Sequence, residues 1–348
     1  MQQRSYAAMD EALAVLSEYG PELNSGLTNH APMATEALCA MGRPEAVMPW
    51  LERYRQGMLP RSASRGRIIT SNWRSALARP ERTADWSEFF YEELRQVPWR
   101  EVLHRWVSRL APGLCGAATH GVIRVGHAAR SLEVGESSVR LQELADGLAY
   151  FAATYQELPG AADLSDAGLK PSEAIQQVAV IPANLRRFSG TITSSLAALD
   201  EFPEFAPVIG LIGVDGDAAK ILSNLTQTFA RVYLANAHDI LTTIAFIHGV
   251  TSAVALRNLL PYLDDTTARL ALRYGWQAGC GLYAAFGAYP APVAIAEPPR
   301  ETREELIARA VANGDEHVIK FTEACLREYA LNPAPEYLAA ARHAFDVL

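Results

Sequence analysis

Strand patterns and cofactor-binding motifs are what this sequence of 348 residues lacks. No run of alternating β-branched residues lies between hairpin turns, which argues against a protein built on β-sheets. Neither GxGxxG after a strand nor GxxxxGK[ST] occurs, so neither a dinucleotide-binding domain nor a P-loop is indicated. The missing GxSxG motif weakens the case for a hydrolase with a nucleophile elbow.

Cysteines are few and widely spaced. Cys39, Cys115, Cys280 and Cys325 form no CxxC pair, so neither a zinc finger nor a dithiol redox motif is indicated. The N-terminal segment carries acidic side chains where a signal peptide needs an apolar run. Together these features predict a reduced, cytoplasmic setting.

The charge balance is acidic, with a net charge of −8 and an isoelectric point near 5.6. This argues against nucleic acid as a partner, because binding to phosphates requires a basic surface. Residues 53–82 depart from the balance, with eight arginines and one acid, Glu81. We interpret this segment as a solvated loop with a short helix; docking of an anionic partner or substrate is the alternative.

Apolar residues recur at helical spacing along most of the chain, as in residues 86–94. No repeat with a fixed period is present, which argues against a solenoid. These features predict one all-α domain over residues 1–348, with about fifteen helices. The uncharged stretch 274–296 is predicted to be a buried helix followed by a loop rather than a membrane span, because Pro290 and Pro292 interrupt it.

The chain has eight histidines, and imidazole is a common ligand of iron, zinc, copper and nickel. His120 and His127 would be separated by roughly 10 Å along a helix, which is too far for one metal ion. His238 and His248 would be roughly 15 Å apart and on different helix faces. At most one histidine of each pair can therefore be a ligand. A metal site between helices would take about one histidine from each of several helices.

The segment GDEHVIKF, residues 314–321, places a lysine beside a candidate ligand. With Asp315 as the N-cap of a helix, His317 and Lys320 lie side by side on one face. Lysine is rare in this chain, and a buried lysine can lose its proton whereas arginine cannot. A neutral amine takes up CO₂ to form a carbamate, an anionic oxygen ligand. A surface lysine on an amphipathic helix is the alternative interpretation.

Each histidine considered alone is more often a structural residue than a ligand. The Glu-x-x-His formed by Glu101 and His104 has no second copy, which a di-iron bundle requires. His238 followed by Asp239 is similar to the adjacent pair of a metal phosphohydrolase. Such an enzyme also needs a separate upstream histidine and a downstream aspartate at set spacings, so this is the weaker interpretation.

Four histidine-containing segments resemble the questin oxidase-like family: NSGLTNHAPMATEAL (24–38), THGVIRVGHAA (119–129), IHGVTSAVALRNLLP (247–261) and GDEHVIKFTEA (314–324). Their order and spacing carry the likeness, which extends over most of the chain. The resemblance implies an all-helical fold with a mononuclear non-haem Fe(II) site between helices. It also implies oxidative cleavage, with O₂, of an aromatic polyketide ring of the anthraquinone type.

The resemblance also implies the metal ligands, one histidine from each segment and a carbamylated lysine: His30, His120, His248, His317 and Lys320. His127 and His238 then support the ligands or the fold. Members of the family are described as Baeyer–Villiger-type oxidases that use NADPH. The missing pyridine-nucleotide motif argues against a bound nicotinamide in this chain.

Arg124, one turn from His120 on the same helix face, is our candidate catalytic residue. It would hold a phenolate or carboxylate of the substrate or orient a carboxylate near the metal; a surface or ion-pair role is the alternative. Asp315 or Glu316 could instead supply a carboxylate ligand. An aromatic stripe would line the substrate pocket or, as the alternative, fill the core: Tyr274, Trp276, Tyr283 and Phe286.

The sequence thus supports three functional hypotheses. The first is an iron-dependent oxygenase whose partners are a small aromatic substrate and O₂, with neither nucleic acid nor a membrane. The second is a hydrolase or lyase that holds a different metal in the same histidine cluster. The third is a helical binding protein without catalytic activity. Metal content separates the first two hypotheses from the third.

Overall fold

The computed structural model describes residues 5–160, 166–292 and 300–348. Within these ranges the fold is all-helical, as predicted, and its one sheet consists of two antiparallel strands, β1 (Tyr19–Leu23) and β2 (Met58–Pro60). The α-helices of the described residues are α1 (Ala7–Leu16), α2 (Ala31–Ala40), α3 (Pro44–Tyr54), α4 (Thr83–Gln96), α5 (Trp99–Leu110), α6 (His120–Val134), α7 (Ser138–Ala153), α8 (Pro171–Ala174), α9 (Ile192–Leu196), α10 (Ala218–Asn236), α11 (Ile240–Leu259), α12 (Asp265–Phe286), α13 (Arg303–Asn313), α14 (Glu316–Leu331) and α15 (Pro335–Val347).

Short 3-10 helices supply many of the connections between these elements. They cover Arg55–Gly57, Trp73–Ala76, Pro80–Arg82, Ala111–Gly113, Gly116–Thr119, Ile175–Gln177, Ala183–Leu185, Ala197–Glu201, Pro203–Gly210 and Leu260–Tyr262. Three of them lie in the arginine-rich segment 53–82, where most of the arginines are partly or fully exposed. Arg61 pairs with Asp146 and Arg82 with Asp85. A solvated segment with a few ion pairs therefore describes this part of the chain.

Buried apolar side chains form two clusters, and α14 contributes to both. The larger cluster lies among α4–α7 and α10–α12, and the smaller one packs α1, α2 and α3 against α13. Val318 and Phe321 belong to the larger cluster, whereas Ile319 belongs to the smaller one. Because apolar residues on two faces of α14 are buried, its rotation is fixed, and the directions of His317 and Lys320 are fixed with it.

Helices α6 and α11 approach each other closely at Gly126. A Cβ atom at Gly126 would lie 2.8 Å from Ala255 Cβ and 2.9 Å from the Ala255 carbonyl oxygen. Asn258 of α11 also donates a hydrogen bond from Nδ2 to the Gly126 carbonyl at 3.0 Å. The missing side chain thus sets the distance between the helices that carry His120 and His248.

Two apolar stretches are long enough to invite a membrane interpretation. The segment Ile240–Tyr262 has a mean hydropathy of 1.5 over its most apolar window, but 72% of that window is buried inside the fold. Such a helix is weak evidence for a membrane, because core helices have the same composition. The predicted helix within 274–296 is the buried second half of α12. The prediction of a loop after it falls partly on residues 293–299, which lie outside the described residues.

Gly126→Ala should lower the free energy of unfolding by about 1–3 kcal/mol, because the added methyl group overpacks the contact with Ala255. The matched control is Gly249→Ala on α11, where a Cβ would meet only Leu282 Cδ1 at 3.8 Å. That variant should gain about 0.5–1 kcal/mol, since alanine favours a helix over glycine. Chemical denaturation measures both variants. An unchanged stability of Gly126→Ala would contradict the close approach of α6 and α11.

Candidate metal centre

Four helices bring one histidine each to a common point. His30 directly precedes α2, and His120 is the first residue of α6. His248 lies in the middle of α11, and His317 is the second residue of α14. All four side chains are buried, with between 2% and 8% of their surface exposed. The structure thus brings together the histidines that the resemblance assigned, with one member of each sequence pair, as helical geometry required.

The imidazoles of His30, His120 and His248 are close enough to share one ion, and His317 forms a second group with His30 and Glu316. His120 Nε2 lies 2.6 Å from His30 Nε2 and 3.0 Å from His248 Nε2. The ring centroid of His317 lies 4.6 Å from that of His30 and 5.7 Å from that of His248. Two nitrogens at right angles on an ion with bonds of about 2.0–2.1 Å would lie about 2.9 Å apart. The spacing around His120 Nε2 therefore resembles that of ligands on one metal ion.

Hydrogen bonds leave two lone pairs facing each other in this cluster. His120 Nδ1 bonds to the Ala117 carbonyl, and His248 Nδ1 bonds to the Ile244 carbonyl at 2.7 Å. Because a carbonyl only accepts, each Nδ1 carries the proton of its neutral ring. The Nε2 atoms of His120 and His248 are then acceptors 3.0 Å apart with no proton of their own between them. A cation between these atoms would satisfy both, so the residues present fit a metal ion.

Burial keeps these rings neutral. Loss of solvation, with the positive charge of Lys320 as a smaller cause, lowers the pKa of His120 to about 3. The pKa values of His30 and His248 also lie well below the ordinary value, first because of burial. Neutral imidazole is the form that binds metals. The protein therefore holds these side chains in their ligating state.

A strained turn sets the orientation of His120. Ala117, Ala118 and Thr119, directly before α6, have φ angles of 46°, 53° and 72°. This left-handed region costs residues other than glycine about 1–2 kcal/mol each. The turn directs the Ala117 carbonyl at His120 Nδ1. Backbone strain is thus located where the ring of a candidate ligand is oriented.

Two carboxylates stand beside the cluster at the start of α14. Asp315 is the predicted N-cap, since its Oδ1 accepts hydrogen bonds from the backbone N–H groups of His317 at 2.8 Å and Val318 at 3.2 Å. Glu316 Oε1 lies 3.8 Å from His30 Nδ1 and 3.9 Å from His317 Nδ1. Asp315 Oδ1 also lies 3.3 Å from His317 Nδ1, but this oxygen is shared with the helix cap. Glu316 is the carboxylate that lies near two of the histidines.

Lys320 lies one turn after His317 in the protein interior. Its side chain is 2% exposed, and within the described ranges its Nζ makes no hydrogen bond or ion pair. Burial lowers the pKa of Lys320 to about 8, against the opposing effect of Glu316. Its positive charge in turn lowers the pKa values of His30 and His120. The structure thus holds a buried amine without a charge partner next to the imidazoles.

The histidines lie in the wall of a cavity of about 780 Å³. Most of the other wall residues are apolar, and the volume is typical of a small-molecule site. Leu27 and Ile240 belong to the wall and are 55% and 62% exposed, so the cavity reaches the surface there. A large apolar space therefore connects solvent with the histidine cluster.

A pair of hydroxyl groups in this wall was not anticipated from the sequence. Tyr150 of α7 and Thr28 both line the cavity, and their side-chain oxygens lie 2.8 Å apart. Tyr150 belongs to no motif, and it becomes recognisable only when α7 packs beside α6. Thr28 gave a weak signal, because it lies two residues before His30 in the segment 24–38.

Arg124 is not brought into the cavity. It donates hydrogen bonds from Nε and an Nη atom to the two carboxylate oxygens of Glu143 on α7, at 2.6 and 2.7 Å. Both side chains are buried, and Arg124 lines a separate pocket of about 180 Å³. Its helix face, one turn after His120, turns toward α7. This geometry supports the ion-pair interpretation of Arg124.

Other histidines outside the cluster also have structural roles. His127 Nδ1 lies 2.7 Å from Glu36 Oε2, in the buried interior. His238 is exposed, with its ring against Tyr289. Asp239 caps α11 through a hydrogen bond from a backbone N–H. His238 and Asp239 therefore do not join the cluster as the pair of a phosphohydrolase would.

The aromatic stripe of α12 fills the core, which was the alternative interpretation. Trp276 is fully buried and donates a hydrogen bond from Nε1 to the Val208 carbonyl at 2.8 Å. Tyr283 and Phe286 belong to the same apolar cluster, and Tyr274 packs against it. None of these four aromatic residues lines the cavity that contains the histidines.

Comparison with known proteins identifies a family for the chain. A family model described as questin oxidase-like matches residues 27–325, a range that contains the four histidines and Lys320. A search of curated proteins found no match. The family is named for an oxidase, so an oxidoreductase acting on a small molecule is the coarse assignment. The matched range covers most of the sequence, and the chain therefore belongs to the questin oxidase-like family.

Proposed function

We propose that the protein is a non-haem iron-dependent oxygenase that oxidises or cleaves an aromatic polyketide, of the hydroxyanthraquinone or hydroquinone kind, with O₂. The observation that supports this most is the convergence of four buried imidazoles in the wall of one large apolar cavity. The family supports an oxidase. The volume and apolar wall of the cavity support a largely apolar small molecule as the substrate.

The iron would be held by one histidine from each of four helices and by a carbamate on the neighbouring lysine: His30, His120, His248, His317 and Lys320. Iron supplies the one-electron chemistry that the reaction of O₂ with an aromatic ring requires. Imidazole ligands contribute no negative charge, so an anionic oxygen ligand would lower the net charge of the site. Glu316 is the alternative carboxylate, since it forms with His30 and His317 a second group of close ligand atoms.

The residues of the cavity would bind and orient the substrate. The apolar wall removes water from the aromatic rings. Tyr150 and Thr28 would hydrogen-bond a phenolic oxygen or ring carbonyl. Burial raises the pKa of Tyr150 to about 12, so its hydroxyl keeps its proton at neutral pH and acts as a donor. These two hydroxyls would fix which edge of the ring faces the histidines.

The carbamate is proposed from the position of Lys320. A neutral amine attacks CO₂, forming an N–C bond and releasing one proton. The amine is buried, lies one turn from His317 and has no ion-pair partner within the described ranges. A carbamate would turn a costly buried cation into an anion beside a metal ion, which removes an unpaired charge from the interior.

Protein purified without oxygen should contain about one iron per chain, and His317→Ala should lose most of it because one ligand is missing. The matched control is His238→Ala, which removes an exposed histidine outside the cluster and should keep the iron. Elemental analysis measures all three proteins. Zinc or nickel in place of iron would favour a hydrolase or lyase, and no metal at all would favour a binding role.

Lys320→Arg should weaken iron binding by at least about tenfold, because arginine keeps the positive charge but cannot form a carbamate. Lys220→Arg is the control, since Lys220 is an exposed lysine on α10. After exchange with ¹³C-bicarbonate, a carbamate carbon signal should appear in the NMR spectrum of the wild type and be missing from Lys320→Arg. Iron binding and activity that survive this substitution would rule out the carbamate.

Oxygen uptake by the iron-loaded protein should rise on addition of a polycyclic hydroquinone. A monocyclic hydroquinone should give less, because it fills less of the cavity. Ring cleavage by a dioxygenase places both oxygen atoms in the product and consumes no reductant, whereas a Baeyer–Villiger-type oxygenation consumes one NADPH per O₂. Measuring uptake with and without NADPH therefore separates the two reactions. Oxygen uptake independent of every aromatic compound would contradict the proposal.

A further inference from the structure

A layer of buried and partly buried charged and polar side chains lies beyond the histidine cluster, on the same four helices. We call it the charged layer; it comprises Glu36 of α2, His127 and Arg130 of α6, Asn258 of α11, and Glu323 and Arg327 of α14. Its members follow the histidine of their own helix by between six and ten residues. The layer thus begins roughly 9 Å along the helix axes from the cluster.

Glu36 is the centre of this layer. Its side chain is fully buried, and its Oε1 accepts hydrogen bonds from the hydroxyl of Tyr6, which directly precedes α1, at 2.5 Å and from Arg130 Nε at 2.8 Å. An Nη atom of Arg130 donates to the other oxygen, Oε2. His127 Nδ1 lies 2.7 Å from Glu36 Oε2. These contacts join α2 to α6, that is, the helix that His30 precedes to the helix that begins with His120.

The other contacts extend the layer to the remaining two helices. Arg130 donates from an Nη atom to Glu323 Oε1 at 2.5 Å, which joins α6 to α14. Arg327 of α14 bonds to the side-chain oxygen of Asn258, which joins α14 to α11. Asn258 in turn donates to the Gly126 carbonyl at 3.0 Å, which joins α11 back to α6. The contacts among α6, α11 and α14 therefore form a closed ring.

We propose that the charged layer positions the metal-binding histidines: Glu36, His127, Arg130 and Glu323 fix the spacing of the four helices and hence the distances between the four imidazoles. Apolar packing tolerates sliding of helices, whereas charged hydrogen bonds in a dry interior have one geometry. A metal site requires its ligands to be held to a fraction of an ångström. This inference rests on the proposed function, since it assumes that the cluster binds a metal ion.

The test measures how tightly the protein binds Co²⁺, a spectroscopic probe of histidine sites, and records the visible absorption spectrum of the Co²⁺-bound protein. Glu36→Gln should weaken Co²⁺ binding by about 5- to 30-fold and change the spectrum. The control is Glu336→Gln, another buried carboxylate that pairs with an arginine, Arg231 of α10. It lies on α15, which carries no histidine of the cluster, so Co²⁺ affinity should stay that of the wild type.

A second pair of variants separates positioning from general stability. His127→Gln keeps a donor for Glu36 and should retain the wild-type Co²⁺ affinity, whereas His127→Leu removes it and should weaken binding as Glu36→Gln does. Thermal unfolding checks that each variant is folded. If folded His127→Leu and Glu36→Gln bind Co²⁺ with the affinity and spectrum of the wild type, the positioning role of the charged layer is wrong, while the proposed metal site still stands. Wild-type protein that binds no Co²⁺ would overturn the proposed metal site, and this inference with it.

Discussion

Gly126 lets the backbone of α6 lie against Ala255 of α11, and the arrangement of the histidines depends on that contact. The two helices carry His120 and His248, whose Nε2 atoms lie 3.0 Å apart. A wider gap between the helices would separate these atoms beyond the reach of a single ion. The remaining ligands are placed relative to this pair. The turn at 117–119 rotates the ring of His120, and α2 and α14 approach from the sides with His30 and His317.

Whether a polar group in the interior of this protein has a partner depends on its distance from the cavity. Near the cavity, lone pairs and an amine lack partners of opposite charge, which is expensive unless a ligand supplies one. Beyond it, Glu36, Arg130 and Glu323 are paired with one another. The unsatisfied groups and the satisfied ones lie on the same helices. A rigid, ion-paired region supporting an incompletely paired one is what a binding site requires, because the ligand then completes the structure without rearranging it.

Local patterns in the sequence predicted local features correctly. Gly-Asp before an apolar segment predicted the cap at Asp315. Helical spacing limited each histidine pair to one ligand, and the family resemblance then selected His120 and His248. The partner of Arg124 could not be predicted, because Glu143 lies on the next helix and is within reach only after α6 and α7 have packed. The aromatic residues of α12 were ambiguous since a stripe can face a core or a cavity.

The turn at 117–119 could not be predicted, because left-handed residues are usually glycine or asparagine, and here they are Ala-Ala-Thr. Tyr150 likewise becomes a cavity residue only through tertiary packing.

Three of the four histidines stand where a helix begins: His30 before α2, His120 at the start of α6 and His317 in the first turn of α14. The N-terminus of a helix carries a partial positive charge of about half a unit. A cation among neutral imidazoles would therefore add to an electrostatic potential that is already positive. Anions are needed to balance this positive potential. The same arrangement that holds a metal would prefer a phenolate to a phenol, and azide or fluoride to uncharged molecules of similar size. Although the described cavity wall contains no arginine, backbone direction would thus favour negatively charged guests near the histidines.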